Sequence, residues 1–533
     1  MSLVTLINPP GIKTFSSIQM HTPNPPLGLA YIAGSLKKAG IPYRTIDAVG
    51  EGMDTITLHP SRPDMKVQGL TYDEVLERIP PETDILGFTC LFSTLWPITR
   101  DLAARIRQHF PGALLVLGSE HGTAVPENVL RTSPFDMVAL GEGTETILNI
   151  VRGYRSDPGS RRAWRDIKGI AFLDEGGQYV STGLAPRKRD VDEIPWPNWD
   201  SFPLREYIDR HQINGADLGR AMPLLATWGC PYQCTFCSNP AMWTQRWIPR
   251  SPKDVVDEMA YYKEKYDVVN FDFQDLTAMI RRSWIMDFTQ ELIDRKLKVT
   301  WQLPSGTRAE VFDKEVAERL YAAGLRLLSF APESGSERML QLVKKQVDLK
   351  EMLAAMRVAL DAGLKLSCFI VIGFPGETRA SLRETMGLIR KMAVMGVHDV
   401  AVTKFVPYPG SQLFRELQAA GKIELDDNFF IMPMDFYTQE APSFVEGMTS
   451  RQLYKTMMWM FLNFYGISML LRPWRLVQAV FNVVRGVETT RFAKWLNDRF
   501  VVRHRWNRRF RELAALAQVA APAAEGGKTA AIS

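Results

Sequence analysis

Three of the five cysteines in the chain lie within eight residues, at Cys230, Cys234 and Cys237, with the spacing C-x3-C-x2-C. Three thiolates on one short loop can bind a soft metal centre. Structural zinc requires four protein ligands, and this loop offers no fourth one. A [4Fe–4S] cluster held by three cysteines keeps one iron open for a further ligand. The spacing therefore favours such a cluster over a partial zinc site or cysteines without a metal.

The segment that carries these cysteines belongs to a region of alternating strands and helices, residues 222–420. A strand at 223–227 leads into the cysteine loop, and five further strands are predicted at 268–273, 299–303, 327–331, 366–372 and 399–404. Apolar segments with helical spacing separate these strands. Six strand–helix units are fewer than the eight of a complete barrel. Active groups are expected at the carboxyl ends of the strands.

A second alternating region, residues 1–165, precedes the first. Its predicted strands are 3–7, 43–47, 84–89, 113–117 and 137–140. Such alternation predicts an α/β fold with a doubly wound parallel sheet, whose ligands bind beyond the carboxyl ends of the strands. The loops expected to contact a ligand are therefore 8–11, 89–93, 118–122 and 141–145.

The remaining regions contain no motif that predicts a catalytic or metal-binding site. Residues 166–221 are predicted to form a connector with a β-hairpin, and residues 421–512 a helical C-terminal region. Residues 472–512 hold eleven Lys or Arg against three acids, interleaved with aromatic residues. A helical cap on the barrel, membrane contact and nucleic-acid binding stay open here, and nucleic acid is the least favoured. The Ala- and Gly-rich residues 513–533 are predicted to be disordered.

Composition sets broad limits on the class of protein. The 533 residues suffice for about three domains, and a net charge of +5 does not by itself indicate a nucleic-acid-binding protein. Clustered cysteines favour a reducing compartment. Neither a signal peptide nor an apolar run of about 20 residues is evident. We expect a cytoplasmic protein, with peripheral contact at the inner face of the membrane as an additional hypothesis.

The cysteine spacing, with the aromatic Phe236 before the last cysteine, resembles the signature of the radical S-adenosylmethionine (SAM) enzymes. In that family the open iron binds SAM, which an electron from the cluster cleaves to a 5′-deoxyadenosyl radical. The resemblance implies that residues 222–420 form a partial (β/α)6 barrel. It also implies that SAM is contacted at the strand ends, by Phe236, Asp275, Arg308, Glu333, Ser334, Gly373, Gly376 and Glu377.

The N-terminal region resembles the cobalamin-binding domain that precedes the barrel in one class of these enzymes. The matching features are a Pro-Pro-x-Gly-Leu-Ala-Tyr-Ile-Ala helix, Gly118-x-x-His121 and a Gly-Glu-Gly turn. The implied cobalamin contacts are Thr89, Ser93, Gly118, Gly141, Glu142 and Gly143. The pattern Asp-x-His-x-x-Gly, which places a histidine on cobalt elsewhere, is absent. We therefore expect no histidine below the cobalt, and we expect His121 to be a loop or surface histidine.

These resemblances imply an enzyme with a [4Fe–4S] cluster, SAM and cobalamin as cofactors, and an electron donor such as flavodoxin or ferredoxin. The leading hypothesis is methylation of an unactivated carbon in a hydrophobic lipid or tetrapyrrole-like intermediate. The first alternative is an anaerobic oxidative cyclase or ring-rearranging enzyme of the same architecture. RNA modification is a further alternative, weakened because the N-terminal region has only Cys90 for a second cluster. A cobalamin- or light-sensing binding protein is the non-enzymatic alternative.

Overall fold

The computed structural model describes residues 3–14, 23–60, 62, 65–157 and 160–485. The N-terminal strands are β1 (Leu3–Asn8), β2 (Gly11–Thr14), β3 (Tyr43–Asp47), β4 (Ile56–Leu58), β5 (Met65–Gln68), β6 (Thr83–Thr89), β7 (Leu114–Gly118), β8 (Met137–Ala139), β9 (Ile170–Leu173) and β10 (Tyr179–Ser181). The helices between them are α1 (Leu27–Lys38), α2 (Ala48–Glu51), α3 (Tyr72–Glu77), α4 (Trp96–His109), α5 (Ser119–Ala124), α6 (Pro126–Thr132) and α7 (Gly143–Ser156).

The main N-terminal sheet has the strand order β3-β1-β6-β7-β8-β9-β10. Strands β3 to β8 in that order are parallel, and β9 and β10 add an antiparallel hairpin at the edge. The parallel strands thus run in the order 2-1-3-4-5, a doubly wound arrangement with a topological switch between β1 and β6. The predicted parallel sheet and hairpin are confirmed. A small antiparallel sheet, β2-β5-β4, was not predicted.

The strands of the second region are β11 (Ala221–Leu224), β12 (Thr227–Trp228), β13 (Ile248–Pro249), β14 (Asn270–Phe273), β15 (Thr300–Thr307), β16 (Leu325–Glu333), β17 (Lys365–Ile372) and β18 (Asp399–Lys404). Its helices are α8 (Leu204–Asp209), α9 (Asn239–Trp243), α10 (Pro252–Tyr266), α11 (Arg282–Asp294), α12 (Lys314–Ala322), α13 (Glu337–Leu342), α14 (Leu349–Asp361), α15 (Arg379–Met395), α16 (Gln412–Ala419), α17 (Asp427–Ile431), α18 (Ser450–Leu471) and α19 (Trp474–Arg485).

Six strands form a parallel sheet in the order β11-β14-β15-β16-β17-β18. This confirms the partial (β/α)6 barrel. Strands β12 and β13 stand outside it as a short antiparallel ribbon that flanks the cysteine loop. The carboxyl ends of all six barrel strands lie at one edge, because parallel strands share a direction, and that edge can position the groups that precede each helix.

One apolar core runs through both regions. It joins Val4 and Leu6 of β1 to Trp199 of the connector and to barrel residues such as Leu328 and Leu366. A second core lies under the other face of the N-terminal sheet and includes Phe429 and Phe430 of α17. The chain therefore returns from the barrel to the N-terminal sheet before it forms α18. The domain boundaries near residues 165, 221 and 420 stay predictions.

The C-terminal helix α18 covers the barrel on one side. Its residues Leu453, Met457, Met460 and Phe464 are buried in the shared apolar core, and the helix lies against α15 and β18. Among the described residues, no helix is long and apolar enough to cross a membrane. The basic residues beyond Arg485 and the tail 513–533 lie outside the described part of the chain.

Candidate active site

The cysteine loop begins at Gly229, directly after β12. Gly229 has a φ of +84°, and a Cβ there would collide with the carbonyl oxygen of Arg246. The loop is tied to the barrel at Thr235, whose amide donates to the carbonyl of Val343 at 3.0 Å and whose carbonyl accepts from the amide of Leu413 at 2.9 Å. These contacts fix the loop against the ends of α13 and α16.

All three loop cysteines are free and partly exposed, whereas Cys90 and Cys368 are fully buried. Burial raises the pKa of the Cys237 thiol to about 12, so metal binding there must displace a proton. Within the described ranges, no three His, Cys, Asp or Glu side chains are close enough to hold one metal ion. In a [4Fe–4S] cube each cysteine binds a different iron, and the sulfurs stay apart.

The aromatic residue of the loop packs into the barrel mouth. The Phe236 ring lies 5.3 Å from that of Phe374, which lies 5.2 Å from Phe405. These rings belong to an apolar cluster beneath the loop. Phe236 therefore anchors the loop by packing, and its contact with SAM stays a prediction.

Asp275 supports the strand that leads to the cysteines. Its carboxylate accepts hydrogen bonds from the amide and hydroxyl of Thr227, both at 2.6 Å, and from the amide of Ala226 at 3.1 Å. Burial raises the pKa of Asp275 to about 6 despite these bonds. Three of the roughly four lone-pair sites of a carboxylate are thus occupied. This arrangement indicates a positioning role, and contact with the SAM amino group stays a prediction.

A pair of opposite charges lies close to the cysteines. Lys345, which the sequence analysis did not single out, donates to the Glu333 carboxylate at 2.9 Å. Burial tends to lower the pKa of Lys345, but Glu333 and the Cys234 sulfur outweigh that effect and raise it. Glu333 has a φ of +62°, a left-handed conformation that is strained for a residue with a side chain. It turns the chain sharply at the carboxyl end of β16.

Arg308 lies on the other side of the loop. Its guanidinium carbon is 3.8 Å from the ring centroid of Tyr232, which is part of the cysteine loop. It also donates to the Glu310 carboxylate at 2.6 Å and to the carbonyl of Gln346. Its Nε atom is buried without a partner, so one donor stays available for an anionic group.

The remaining predicted SAM contacts are turn residues held by α15. Glu377 accepts from the amide of Gly373 at 3.3 Å and from the hydroxyl of Ser381. Ser334 shares a hydrogen bond of 3.1 Å with Thr385. Gly376 has a φ of +82°, which a residue without a side chain adopts readily. These contacts bring the ends of β16 and β17 together beside the cysteine loop.

Several polar atoms near this mouth are buried without a hydrogen-bond partner. They include the hydroxyls of Thr235 and Thr307, the amide oxygen of Asn239 and the Nε of Arg308. Unpaired buried polar groups are costly and rare in folded proteins. Their concentration along the loop and the inner strands fits a polar ligand with hydroxyl, ammonium and carboxylate groups, such as SAM.

The predicted cobalamin loops also come together. The amide of Cys90 donates to the carbonyl of Gly118, which joins the loops after β6 and β7. The hydroxyl of Thr123 accepts from the amide of Gly141 at 3.0 Å. The loops that hold Thr89, Ser93, Gly118 and the Gly141–Gly143 turn therefore form one continuous edge. Backbone groups and glycines of this edge let a flat cofactor approach closely.

His121 differs from expectation. It is fully buried rather than at the surface, and its ring stacks on Trp96 at 4.8 Å. Burial lowers its pKa to about 3, so the ring is neutral at physiological pH. Its Nδ1 shares a hydrogen bond of 2.9 Å with Ser93. No periodic pattern of apolar residues surrounds His121 in the sequence, so its burial could not be inferred there.

The two candidate cofactor edges face each other across direct contacts. Arg187 of the connector pairs with Glu142 of the glycine turn, and it donates to the carbonyls of Trp243 at 2.8 Å and Arg246 at 2.6 Å. A second contact packs helix α5 of the N-terminal domain against α9, which follows Cys237. Sequence reasoning assigned no chemistry to the connector and missed Arg187.

Comparison with known proteins agrees with this architecture. The family model of the radical SAM superfamily matches residues 225–389, and that of the B12 binding domain matches residues 18–151. The chain belongs to the radical SAM superfamily, in the class that carries a cobalamin-binding domain. Its cofactors are accordingly a [4Fe–4S] cluster, SAM and cobalamin. The predicted class and cofactors are thus confirmed.

Individual relatives differ in the reactions that their names state. The chain is 32% identical to an anaerobic magnesium-protoporphyrin IX monomethyl ester cyclase of Cereibacter sphaeroides, over 74% of this chain and 60% of that protein. For the cyclase of Rubrivivax gelatinosus the identity is 30%, over 76% and 68%. An uncharacterised methyltransferase of Pyrococcus horikoshii is 26% identical over 90% and 94%.

A solved structure also has this fold. It is the radical SAM methyltransferase TsrM of Kitasatospora setae with cobalamin and a [4Fe–4S] cluster bound, with a TM-score of 0.59 at 16% identity, over 79% of each chain. At this identity the similarity concerns the fold. The chain is therefore a cobalamin-dependent radical SAM enzyme whose reaction and substrate are subjects for proposal.

Proposed function

We propose that this enzyme transfers a methyl group to an unactivated carbon of a hydrophobic biosynthetic intermediate, lipid-like or tetrapyrrole-like. The observation that carries the proposal is the direct contact between the cysteine loop and the loops of the cobalamin domain. Helix α5 packs against α9, and Arg187 links Glu142 to the carbonyls of Trp243 and Arg246 after the cysteines. A substrate held there would be within reach of both cofactors.

Exposed apolar side chains on the surrounding loops support a hydrophobic substrate. Leu91 and Phe92 follow β6, Leu184 lies against Gly141, and Leu342 lies against Gly376. Large exposed apolar groups commonly mark ligand or partner sites. Some of this surface can meet the corrin ring, and the rest is available to the substrate.

Tyr408 has a position suited to substrate contact. Its side chain retains 40% exposure, while the surrounding protein raises its pKa to about 12. The loop that carries it is close to both domains, since a Cβ on Gly410 would meet Ala124 of α5 at 3.1 Å and Ala241 of α9 at 3.5 Å. The phenol remains protonated at neutral pH and can donate a hydrogen bond to substrate.

The bound cofactors supply the radical and the methyl group, and the chain supplies position. Phe236 and Asp275 hold the cysteine loop, and Arg308 offers a free donor to the anionic end of SAM. Excluding water protects a reactive radical from side reactions. We also propose that an electron donor such as flavodoxin or ferredoxin reduces the cluster.

The test is anaerobic turnover of the reconstituted enzyme with SAM that carries a trideuterated methyl group, supplied with candidate lipids and tetrapyrroles. Methyl transfer predicts a product heavier than substrate by one labelled methyl group in place of hydrogen. It also predicts 5′-deoxyadenosine and S-adenosylhomocysteine in equal amounts, because two SAM molecules are used per product. Unlabelled product formed with 5′-deoxyadenosine alone would reject methyl transfer.

The second candidate is an oxidative cyclase or ring-rearranging enzyme. It is favoured by the identity of 32% and 30% to the two cyclases, whereas the methyltransferase of Pyrococcus horikoshii is matched over 94% of its length. A cyclase would give a product lighter than substrate or of equal mass, without label. If the enzyme modifies RNA, the labelled methyl group should appear in RNA that is added to the assay. If the chain is a sensing protein, it should not cleave SAM.

A further inference from the structure

The helices α18 and α19 present a large apolar surface away from the barrel. Six of its side chains are at least half exposed, namely Trp459, Leu462, Leu470, Trp474, Val477 and Phe481. They follow helical spacing, at i, i+3 and i+11 in α18 and at i, i+3 and i+7 in α19, whereas the buried face of α18 is formed by Leu453, Met457, Met460 and Phe464. We call the six exposed residues the apolar face. Monomeric proteins rarely expose a contiguous surface of this kind without a partner.

The apolar face is held firmly by the rest of the chain. Arg472 donates to the carbonyls of Ala393 and Val394 at the end of α15, at 3.2 and 3.0 Å. Arg475 donates to the carbonyls of Gly396 and Val397 at 2.7 and 2.9 Å. Cations at the end of a helix are electrostatically favourable. The junction between α18 and α19 is therefore fixed relative to the barrel.

The sequence of α18, α19 and the residues that follow them has a large excess of basic residues. Residues 450–485 contain five Lys or Arg and no Asp or Glu, and residues 486–512 contain eight Lys or Arg and three acids. Residues 450–512 thus carry a net charge of +10. The whole chain carries +5, which leaves −5 for all other residues. Such an asymmetry would orient the molecule at a negatively charged surface.

We propose that the apolar face docks onto the surface of a lipid bilayer that contains anionic lipids. Exposed Trp, Leu, Val and Phe side chains can enter the headgroup boundary while neighbouring cations meet lipid phosphates. A second copy of the chain would place like charges against each other. Leu462, Leu470 and Val477 of the face cannot stack on bases, which favours a bilayer over nucleic acid.

Docking of the apolar face onto a bilayer does not depend on methyl transfer, because it is tested by vesicle binding without turnover. The full-length holoenzyme is sedimented with vesicles of phosphatidylcholine containing about 30% phosphatidylglycerol, and with vesicles of phosphatidylcholine alone. We expect binding to the anionic vesicles at least about tenfold tighter than to the neutral ones. We also expect binding to weaken in about 0.5 M sodium chloride, which screens surface charge.

A double variant, Trp459→Glu with Leu462→Glu, places two charges on the apolar face. It should weaken binding at least about tenfold. The control is Ile293→Glu, at an exposed position of α11 on the barrel, which should bind like the wild type. Thermal melts of all variants check that the fold is retained, as expected at exposed positions.

Four outcomes would overturn the proposal. The holoenzyme could fail to bind either vesicle, or the double variant could bind as well as the wild type. The double variant could unfold at much lower temperature than Ile293→Glu, which would show that the chain itself covers the face. Finally, the face could mediate a dimer or bind single-stranded RNA in preference to vesicles.

Discussion

Replacing Arg187 with Met should loosen the contact between the two cofactor domains. The Arg187 and Glu142 side chains are only 9% and 11% exposed, and the guanidinium also holds the carbonyls of Trp243 and Arg246. The variant keeps an apolar stem but leaves a buried carboxylate unpaired. Breaking a buried pair in this way costs about 3–5 kcal/mol. We therefore expect a loss of stability of that size.

The assay is urea unfolding under anaerobic conditions, with retention of cobalamin and iron measured on the same samples. The control is Arg131→Met, which breaks an ion pair with Glu127 whose side chains are 48% and 51% exposed. Exposed pairs contribute less than about 1 kcal/mol. Adding Glu142→Gln to Arg187→Met should recover about 1–3 kcal/mol, because the uncompensated charge is then removed.

The loss should also depend on pH. Burial raises the pKa of Glu142 above its ordinary value of 4.5, and Arg187 opposes that rise. Without Arg187 the folded-state pKa is higher still, so the folded chain keeps a proton that the unfolded chain releases. Stability then falls as pH rises from about 4.5 through the raised pKa. The deficit of Arg187→Met should therefore be smaller in acid than at neutral pH. A deficit no larger than that of Arg131→Met, or one independent of pH, would refute this reasoning.

Three further predictions concern the cysteine loop. Cys234→Ala should abolish the cluster, measured as iron content and by electron paramagnetic resonance. Cys368→Ala should retain the iron, because that thiol is buried in β17. Equal iron content in both variants would contradict the assignment of Cys234 as a cluster ligand. Asp275→Ala should destabilise the chain by about 2–4 kcal/mol and lower iron content, because the amides of Ala226 and Thr227 lose their acceptor; unchanged unfolding would count against it. Gly229→Ala should lower the free energy of unfolding by about 2 kcal/mol or more, because Gly229 has a positive φ and a Cβ there collides with Arg246. In the control Gly387→Ala, in α15, the new Cβ meets no atom within 4 Å, so this variant should be neutral or stabilising by about 0.5–1 kcal/mol. Equal melting temperatures of the two variants would show that Gly229 is not strained.

Local patterns were sufficient to predict most of the fold. The strands β14 to β18 are short apolar runs between amphipathic helices, so their periodicity identified them within a few residues. The spacing of Cys230, Cys234 and Cys237 predicted the cluster loop for the same reason, since all its ligands are close in sequence. The antiparallel sheet of β2, β4 and β5 was missed because its strands are only three or four residues long.

The contacts that join the domains could not be predicted, because they pair residues far apart in sequence. Arg100 and Asp427 are separated by 327 positions and form bonds of 2.8 and 3.0 Å. Lys345 gave no signal, since a single lysine on a loop is usually solvated. Asp275 was assigned a ligand role from its place in the strand end, and only the fold shows that backbone amides occupy its oxygens.

The contacts between the two domains imply that the cluster and cobalamin face one shared site. The most direct measurement is electron paramagnetic resonance of the holoenzyme with the cluster reduced and the cobalt in the cob(II)alamin state. We expect each signal to be split or broadened by the other, and the cobalt signal to lose this effect in Cys234→Ala. Cobalt and cluster signals identical to those of samples with only one paramagnetic centre would contradict the claim.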